Sequence, residues 1–385
     1  MKLKSIKNKV RRMPEEDLKN KRIVLRVDFN VPIIKGKVQD DFKIERALPT
    51  IKYLIKQKCK IVLISHFGRP EGRRVKSLSL EPVYKVLKKQ LKGVDVKFKS
   101  GTATVLLLEN VRYDKREDEN NLVLAKELAK LGDVFVNEAF AVSHRKTAST
   151  VGITKFLPSY AGLNFENEVK YLSKALNPKK PAVALIGGAK VKTKFDVVEN
   201  FLKTYSKVMV AGGVANTFLL AKGFKIGDSL VEVSKISKAK KMLNSRKILL
   251  PKDVIISDKS MRKIVVKKIG KDKNLCNRNE MILDIGPETI KLFSKHIREA
   301  RTIVWGGPMG LLENKKFSHG TIALAKLIGA RSSGKNIGIA GGGETTLAIE
   351  MSGMGRYYDF ISTGGGAMLE FLAGKNLPGV KSLLK

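Results

Sequence analysis

Cysteine is nearly absent: Cys59 and Cys276 stand far apart with no CxxC spacing, which argues against a disulfide framework and against a structural zinc site. Both are expected to be buried, inert thiols. Long apolar runs are lacking too. Apolar residues make up 43% of the chain, yet no run approaches the roughly 18 apolar residues of a membrane span, so a soluble, cytoplasmic protein with no membrane partner is expected. Residues 1–13 are rich in Lys and Arg but lead into Pro14-Glu15-Glu16-Asp17 rather than an apolar stretch, so they do not read as a secretory leader. Aromatic residues, at 6%, are too few to interleave with the basic ones as a nucleic-acid stacking platform requires. The largest deficit is in acidic residues, 36 against 75 Lys and Arg, leaving a net charge of +39. Such a field attracts nucleic acid, anionic membrane surfaces or phosphorylated metabolites, and charge alone does not choose among them. The lysines are spread through helix-like segments, Lys85, Lys88, Lys89 and Lys92 among them. That distribution favours a solvated basic surface with an anion-directed site, and leaves nucleic-acid binding as the less favoured alternative.

With 385 residues the chain exceeds what one core usually holds, so two domains are expected. Short runs rich in Val and Ile occur at 23–27, 61–65, 104–108 and 134–136, each followed by a helix-like stretch. A second series follows at 182–186, 207–210, 254–256, 302–304, 336–340 and 360–363. This alternation predicts the α/β class: two doubly wound, mostly parallel-sheet domains joined by a helix across a cleft, with ligands bound at the C-terminal ends of the strands. Between the two series, Phe165, Val169, Leu172 and Leu176 recur at helical spacing until Asn177-Pro178 stops the pattern, so this segment reads as the connecting helix. The expected divisions are 1–165, a linking helix at 166–178, a second domain at 179–365 and a tail at 366–385.

Three Gly-rich turns follow apolar runs: Thr363-Gly364-Gly365-Gly366, Ala340-Gly341-Gly342-Gly343-Glu344-Thr345 and Ile186-Gly187-Gly188-Ala189-Lys190. Any one of them could be a tight turn. Together, at strand ends, they suit a phosphate site, because glycine lets backbone N–H groups approach an anion and a following helix adds its positive end. Lys190 and Lys194 fall one turn apart at a helix start, and Gly212-Gly213, Gly306-Gly307 and Glu313 supply flat edges and an acid for a nucleotide. In the first half, successive strand ends carry Asp28 and Asn30, His66 and Arg69, Arg112, then His144 and Arg145. An isolated Arg is more often a surface ion pair, and an Asp-x-Asn a turn; the whole set at equivalent positions suits a small acid carrying phosphate, which guanidinium forks bind bidentately. A Walker A motif and a GxGxxG turn at the first strand are both absent, which argues against a P-loop ATPase and a dinucleotide oxidoreductase.

In order along nearly the whole chain, RVDFNVP, SHFGRPEG, ENVRY, FVNEAF, GGAKVKTK, KIGDSL, DIGPET, VWGGPMG, GGGETT and STGGGA resemble the landmarks of the phosphoglycerate kinase family. The resemblance implies a glycolytic and gluconeogenic enzyme that moves a phosphoryl group between 1,3-bisphosphoglycerate and ADP. Its first domain would hold 3-phosphoglycerate or 1,3-bisphosphoglycerate, its second would hold magnesium with ATP or ADP, and it would work as a monomer. Position by position, it assigns Asp28, Asn30, Lys43, His66, Arg69, Arg112 and Arg145 to the phosphoglycerate. Lys190, Lys194, Gly213, Glu313, Gly342, Gly343, Glu344 and Thr345 go to the nucleotide, with Glu344 beside the metal. Lys43, Lys194, Thr363, Gly364 and Gly365 would meet the phosphoryl group in flight, with the Thr363 turn across the cleft from Lys43 and Arg69.

Some positions depart from the family pattern. Lys43 stands where the family has an arginine, keeping the charge but losing the planar fork. Glu344 replaces an Asp, Gly306 an Asn, Glu138 an Asp before Ala139-Phe140, and Thr147 a histidine found in many members. The alternative these departures leave open is a catalytically weak or inactive relative that binds RNA or another polyanion.

Overall fold

Along Arg22–Arg26 (β1) side chains alternate between the two faces of the strand, and both faces are apolar: Ile23 and Leu25 join one buried cluster, Val24 another. A strand apolar on both sides is stable only when helices cover both, so it belongs inside a parallel sheet. The computed structural model describes residues 9–14, 18–332, 334 and 336–384. Most of the basic N-terminal stretch, and Glu15-Glu16-Asp17 after it, therefore lie outside the described residues. The chain forms two units, one running to Lys170 and taking in the residues from Asn376 onward, the other Tyr171–Lys375.

In the first unit, β1 is followed by the hairpin Ile33–Ile34 (β2) and Lys37–Val38 (β3), then Phe42–Lys56 (α1), Lys60–Ile64 (β4), Glu81–Gln90 (α2), Val96–Phe98 (β5) and Val105–Leu107 (β6). Leu122–Ala129 (α3), Val134–Asn137 (β7), Ser159–Ala161 (β8) and the start of Leu163–Leu176 (α4) complete it. The sheet order is β5-β6-β4-β1-β7-β8, all parallel. All its strands therefore end on one edge. The last residues pack back on this unit, where Arg11 donates its N–H to Leu383 O at 2.9 Å and Gly379 N–H to Ser143 O at 2.9 Å.

The second unit holds Ala182–Ile186 (β9), Val191–Thr204 (α5), Lys207–Val210 (β10), Gly212–Ala221 (α6), Lys225–Ile226 (β11), Ile236–Met242 (α7), Ile248–Leu249 (β12), Asp253–Asp258 (β13) and Ile264–Lys268 (β14). Asn274–Cys276 (β15), Glu280–Ile285 (β16), Pro287–Glu299 (α8), Thr302–Gly306 (β17), His319–Ser332 (α9), Ile337–Gly341 (β18), Gly343–Ser352 (α10), Phe360–Ser362 (β19) and Gly365–Leu372 (α11) follow. A second parallel sheet runs β12-β10-β9-β17-β18-β19. Among the described residues no helix is long and apolar enough to cross a membrane.

Residues 254–256 do not continue this parallel series. They sit in β13, flanked antiparallel by β14 and β16 in a separate three-stranded sheet. Only residues 259–263 separate β13 from β14. That is too short for the helical crossover a parallel neighbour needs. The solvent-facing side of β14 keeps Ile264 and Val266 exposed, as a one-sided antiparallel strand permits.

Where α4 begins, its first N–H groups have no partner within the helix and find one across the sheet edge. The buried Glu138 carboxylate, directly after β7, accepts the N–H of Asn164 at 3.0 Å and of Phe165 at 3.1 Å, and the Thr50 hydroxyl at 2.6 Å. Thr50 Oγ1 accepts the Leu163 N–H at 3.0 Å.

Candidate active site

In the first unit the strand ends bring the predicted residues to the same sheet edge. After β1, Asp28 Oδ1 accepts the Asn30 N–H at 3.1 Å, and Asn30 Oδ1 accepts the Gly68 N–H at 3.1 Å, tying this loop to the one after β4. Ser65 Oγ, accepting the Phe29 N–H at 2.9 Å, is a second tie. Lys43, from the first turn of α1, donates to Asp28 Oδ2 at 2.8 Å and to Asn30 O at 3.2 Å. Burial pushes the Asp28 carboxyl up, but the Lys43 ammonium, helped by the Asn30 N–H, outweighs it and holds the pKa below the usual carboxylate range.

Arg112 is buried; its guanidinium donates to Gly68 O at 3.0 Å and to Asp118 Oδ1 at 3.2 Å. Arg145 is half-buried and Arg69 exposed. Burial, and then the fields of Arg112 and Arg69, lower the Arg145 pKa. Three guanidiniums held within each other's field are unfavourable until an anion arrives, which is the property an acid-binding site needs. Asn110 holds the intervening loop from behind, accepting the Phe67 N–H at 3.0 Å and donating to Phe67 O at 2.6 Å. A separate cavity of about 540 Å³ in this unit, lined by Ile64, Leu108, Tyr113 and Lys115, includes none of the predicted substrate residues.

In the second unit α5, α6, α10 and α11 start directly after β9, β10, β18 and β19, on the edge where these parallel strands end. None of the four starts has a side-chain cap among the described residues. Helix starts of this kind, with N–H groups that lack intrahelical acceptors and a positive dipole end, suit anions. Gly342 stands before α10 at φ +104°, a conformation glycine takes without strain. Lys190 precedes α5 rather than lying within it, and is exposed. Lys194, on the first turn, is buried and donates to Gly187 O. Burial lowers its pKa to about 8, against the opposing pull of Glu344.

A cavity of about 170 Å³ beside the starts of α5, α6 and α10 is lined by Gly188, Gly213, Asn216, Leu230, Glu313 and Glu344 with residues 308–311. Thr345 is fully buried, its hydroxyl accepting the Gly307 N–H at 2.7 Å, so it braces the loop after β17 instead of facing the cavity. Gly364 donates its N–H to Ser362 Oγ at 3.0 Å, which fixes the turn between β19 and α11.

Residues 13–375 match the profile of the family described as phosphoglycerate kinase. The chain belongs to the phosphoglycerate kinase family. It is 43% identical over 392 residues to a phosphoglycerate kinase of Pelotomaculum thermopropionicum, spanning 96% of this chain and 97% of the relative. With one from Thermosipho africanus it shares 43% over 387 residues, 95% and 96% of the two chains. The structure of phosphoglycerate kinase from Coxiella burnetii superposes with a TM-score of 0.85 at 41% identity, covering 97% of this chain and 98% of the other. The enzyme from Pyrococcus horikoshii gives 0.83 at 31% identity, with 97% and 98% covered. The two-sheet α/β architecture expected from strand periodicity is thus that of phosphoglycerate kinases. The sequence pattern does not single out Arg26, the last residue of β1, whose buried side chain lies against His66. Its one signal is position: Arg26 lies two residues after Val24, on the same buried face.

Proposed function

We infer that the chain is a working phosphoglycerate kinase, transferring a phosphoryl group reversibly between 1,3-bisphosphoglycerate and ADP to give 3-phosphoglycerate and ATP. Family membership and the names of its relatives support the activity. The observation that carries the division of labour is that each parallel sheet ends in its own anion-directed edge, one of arginines with Asp28 and His66, the other of uncapped helix starts around Lys194. The first fits the phosphoglycerate and the second the nucleotide.

Attacking and leaving oxygens are both already anionic, so the transfer needs no general base. The barrier lies in charge repulsion and alignment, which fixed cations and helix N-termini lower by several kcal/mol once water is excluded. In-line transfer requires donor and acceptor oxygens to meet, so closure during turnover is part of the proposal. Among the described residues no group of three or more His, Cys, Asp or Glu could hold a metal by itself. One carboxylate, Glu344, beside the nucleotide cavity fits an ion carried mainly by polyphosphate oxygens. Bound there, magnesium would neutralise charge on the transferring phosphates. A cytoplasmic monomer is the proposed working form.

The deciding experiment is a coupled assay of ATP formation from 1,3-bisphosphoglycerate and ADP with magnesium; no turnover above background from pure, folded protein would overturn the reading. Within it, Lys43→Arg is expected to raise kcat several-fold, because a planar fork can bind two oxygens while keeping its charge beside Asp28. An unchanged or lower kcat would show a site adapted to lysine.

A further inference from the structure

Arg26 closes β1 with its side chain 2% exposed, and a guanidinium so buried must spend its donors on neighbours. Nε donates to Ser149 Oγ at 2.8 Å, one terminal nitrogen donates to Val27 O, and the other lies 3.3 Å from His66 Nδ1. Ser149 is fixed in turn by the buried Glu117: its hydroxyl donates to Oε1 at 2.6 Å and its N–H to Oε2 at 2.9 Å. The result is a chain of donors running from the guanidinium through Ser149 to Glu117, with His66 at the other end.

A guanidinium has no lone pair to offer. The nitrogen facing His66 can only donate, so Nδ1 accepts and the ring proton resides on Nε2. Asp28 Oδ1, 3.9 Å from the same Nδ1, is too far to compete for a proton there. Nε2 makes no hydrogen bond to a described residue. We propose that Arg26 is a positioning residue that locks His66 as a neutral Nε2–H tautomer, giving the bound phosphoglycerate a hydrogen-bond donor rather than another cation. The proposal rests on the phosphoglycerate kinase reading and deepens it. Arg26 turns Nε and both terminal nitrogens to Ser149, Val27 and His66 inside the fold, so it acts through His66 and not on the substrate.

The surroundings of the ring agree. Burial pushes the His66 pKa well below the usual imidazole range; Asp28 opposes this, while Arg26, Arg112 and Lys43 push it down further. A cationic ring would set an N–H on Nδ1 against the guanidinium N–H.

The test is ¹⁵N NMR of histidine-labelled enzyme, practicable because the chain has 4 histidines and His66→Gln identifies the signal. Wild type is expected to show Nε2 protonated, Nδ1 bare, and no titration through the ordinary imidazole range. Arg26→Met is expected to give mixed tautomers, a raised His66 pKa, and a KM for 3-phosphoglycerate about tenfold higher with the KM for ATP unchanged. A wild-type ring carrying its proton on Nδ1, a cationic ring near neutrality, or an unchanged tautomer in folded Arg26→Met would each overturn the proposal. Should Arg26→Met fail to fold, the wild-type spectrum decides alone, and Ser149→Ala, which loosens only the Nε contact, gives a milder shift in the same direction. The tautomer is read without turnover, so an inactive chain would sink the kinase reading while leaving this measurement able to decide.

Discussion

Lys194→Met is expected to lower kcat by about two to three orders of magnitude and, in the same protein, to raise the melting temperature. The ammonium is buried on the first turn of α5 with Gly187 O as its hydrogen-bond acceptor, and burial holds its pKa at about 8 even though Glu344 pulls the other way. Between about pH 8 and the ordinary lysine range the unfolded chain binds more protons than the folded one, so stability rises with pH through that window. Below it the folded state carries the whole penalty, up to about 3 kcal/mol at 1.36 kcal/mol per pKa unit. Methionine fills similar volume without charge and removes that penalty. Nucleotide phosphates would offset the same penalty in wild type, so binding should raise the Lys194 pKa and take up protons above about pH 8, measurable by calorimetry in buffers of different ionisation enthalpy. A melting temperature that falls in Lys194→Met, or a kcat within tenfold of wild type, would show that Lys194 is structural. The expected opposition between stability and rate is common where an active site holds charge under strain.

Much of this architecture was legible because parallel strands advertise themselves. Runs such as Ala182–Ile186, buried along its whole length, need no pairing information to be recognised. The loops at their ends were legible for the same reason, since Asp28 and His66 directly follow such runs and Arg112 and Arg145 fall in the loops after the next two. Residues 254–256 misled because a short apolar run does not say whether its neighbour is parallel; the loop length after it does. The strands at 96–98 and 159–161 have three residues each, too few for any period to register. Arg26 and Glu138 were harder for a deeper reason. Their partners are remote in sequence, Ser149 at 123 residues and Thr50 at 88, and only the folded sheet brings them together. Polar groups whose burial is made tolerable by distant partners are the part of a site that local patterns do not encode.

Glu138 illustrates this and yields the second large effect. Gly162, the residue before α4, lies against its carboxyl group: a methyl at 162 would collide with Oε2 and come within 2.7 Å of Cδ. Gly162→Ala must therefore displace the carboxylate that caps Asn164 and Phe165, and is expected to cost about 2–4 kcal/mol, the overpacking strain added to a lost cap. Glu138→Asp alone should cost about 1 kcal/mol, because the shorter acid reaches the helix N–H groups less well. Combined, the two should be less harmful than Gly162→Ala by itself, since removing one methylene from the acid makes room for the methyl; the coupling is read from a double-mutant cycle in urea. Strict additivity would mean that the two side chains do not compete for the same space. The pH dependence supplies an independent check. Burial raises the Glu138 pKa to about 8 despite the three donors facing it. The folded protein then binds more protons than the unfolded chain between the ordinary carboxylate range and about pH 8, and wild-type stability contains a contribution that falls as pH rises through that interval. Glu138→Ala should lose that slope while losing the cap. If the slope persists in Glu138→Ala, another buried acid is responsible, with Asp284, raised by burial to about 7, the next to replace.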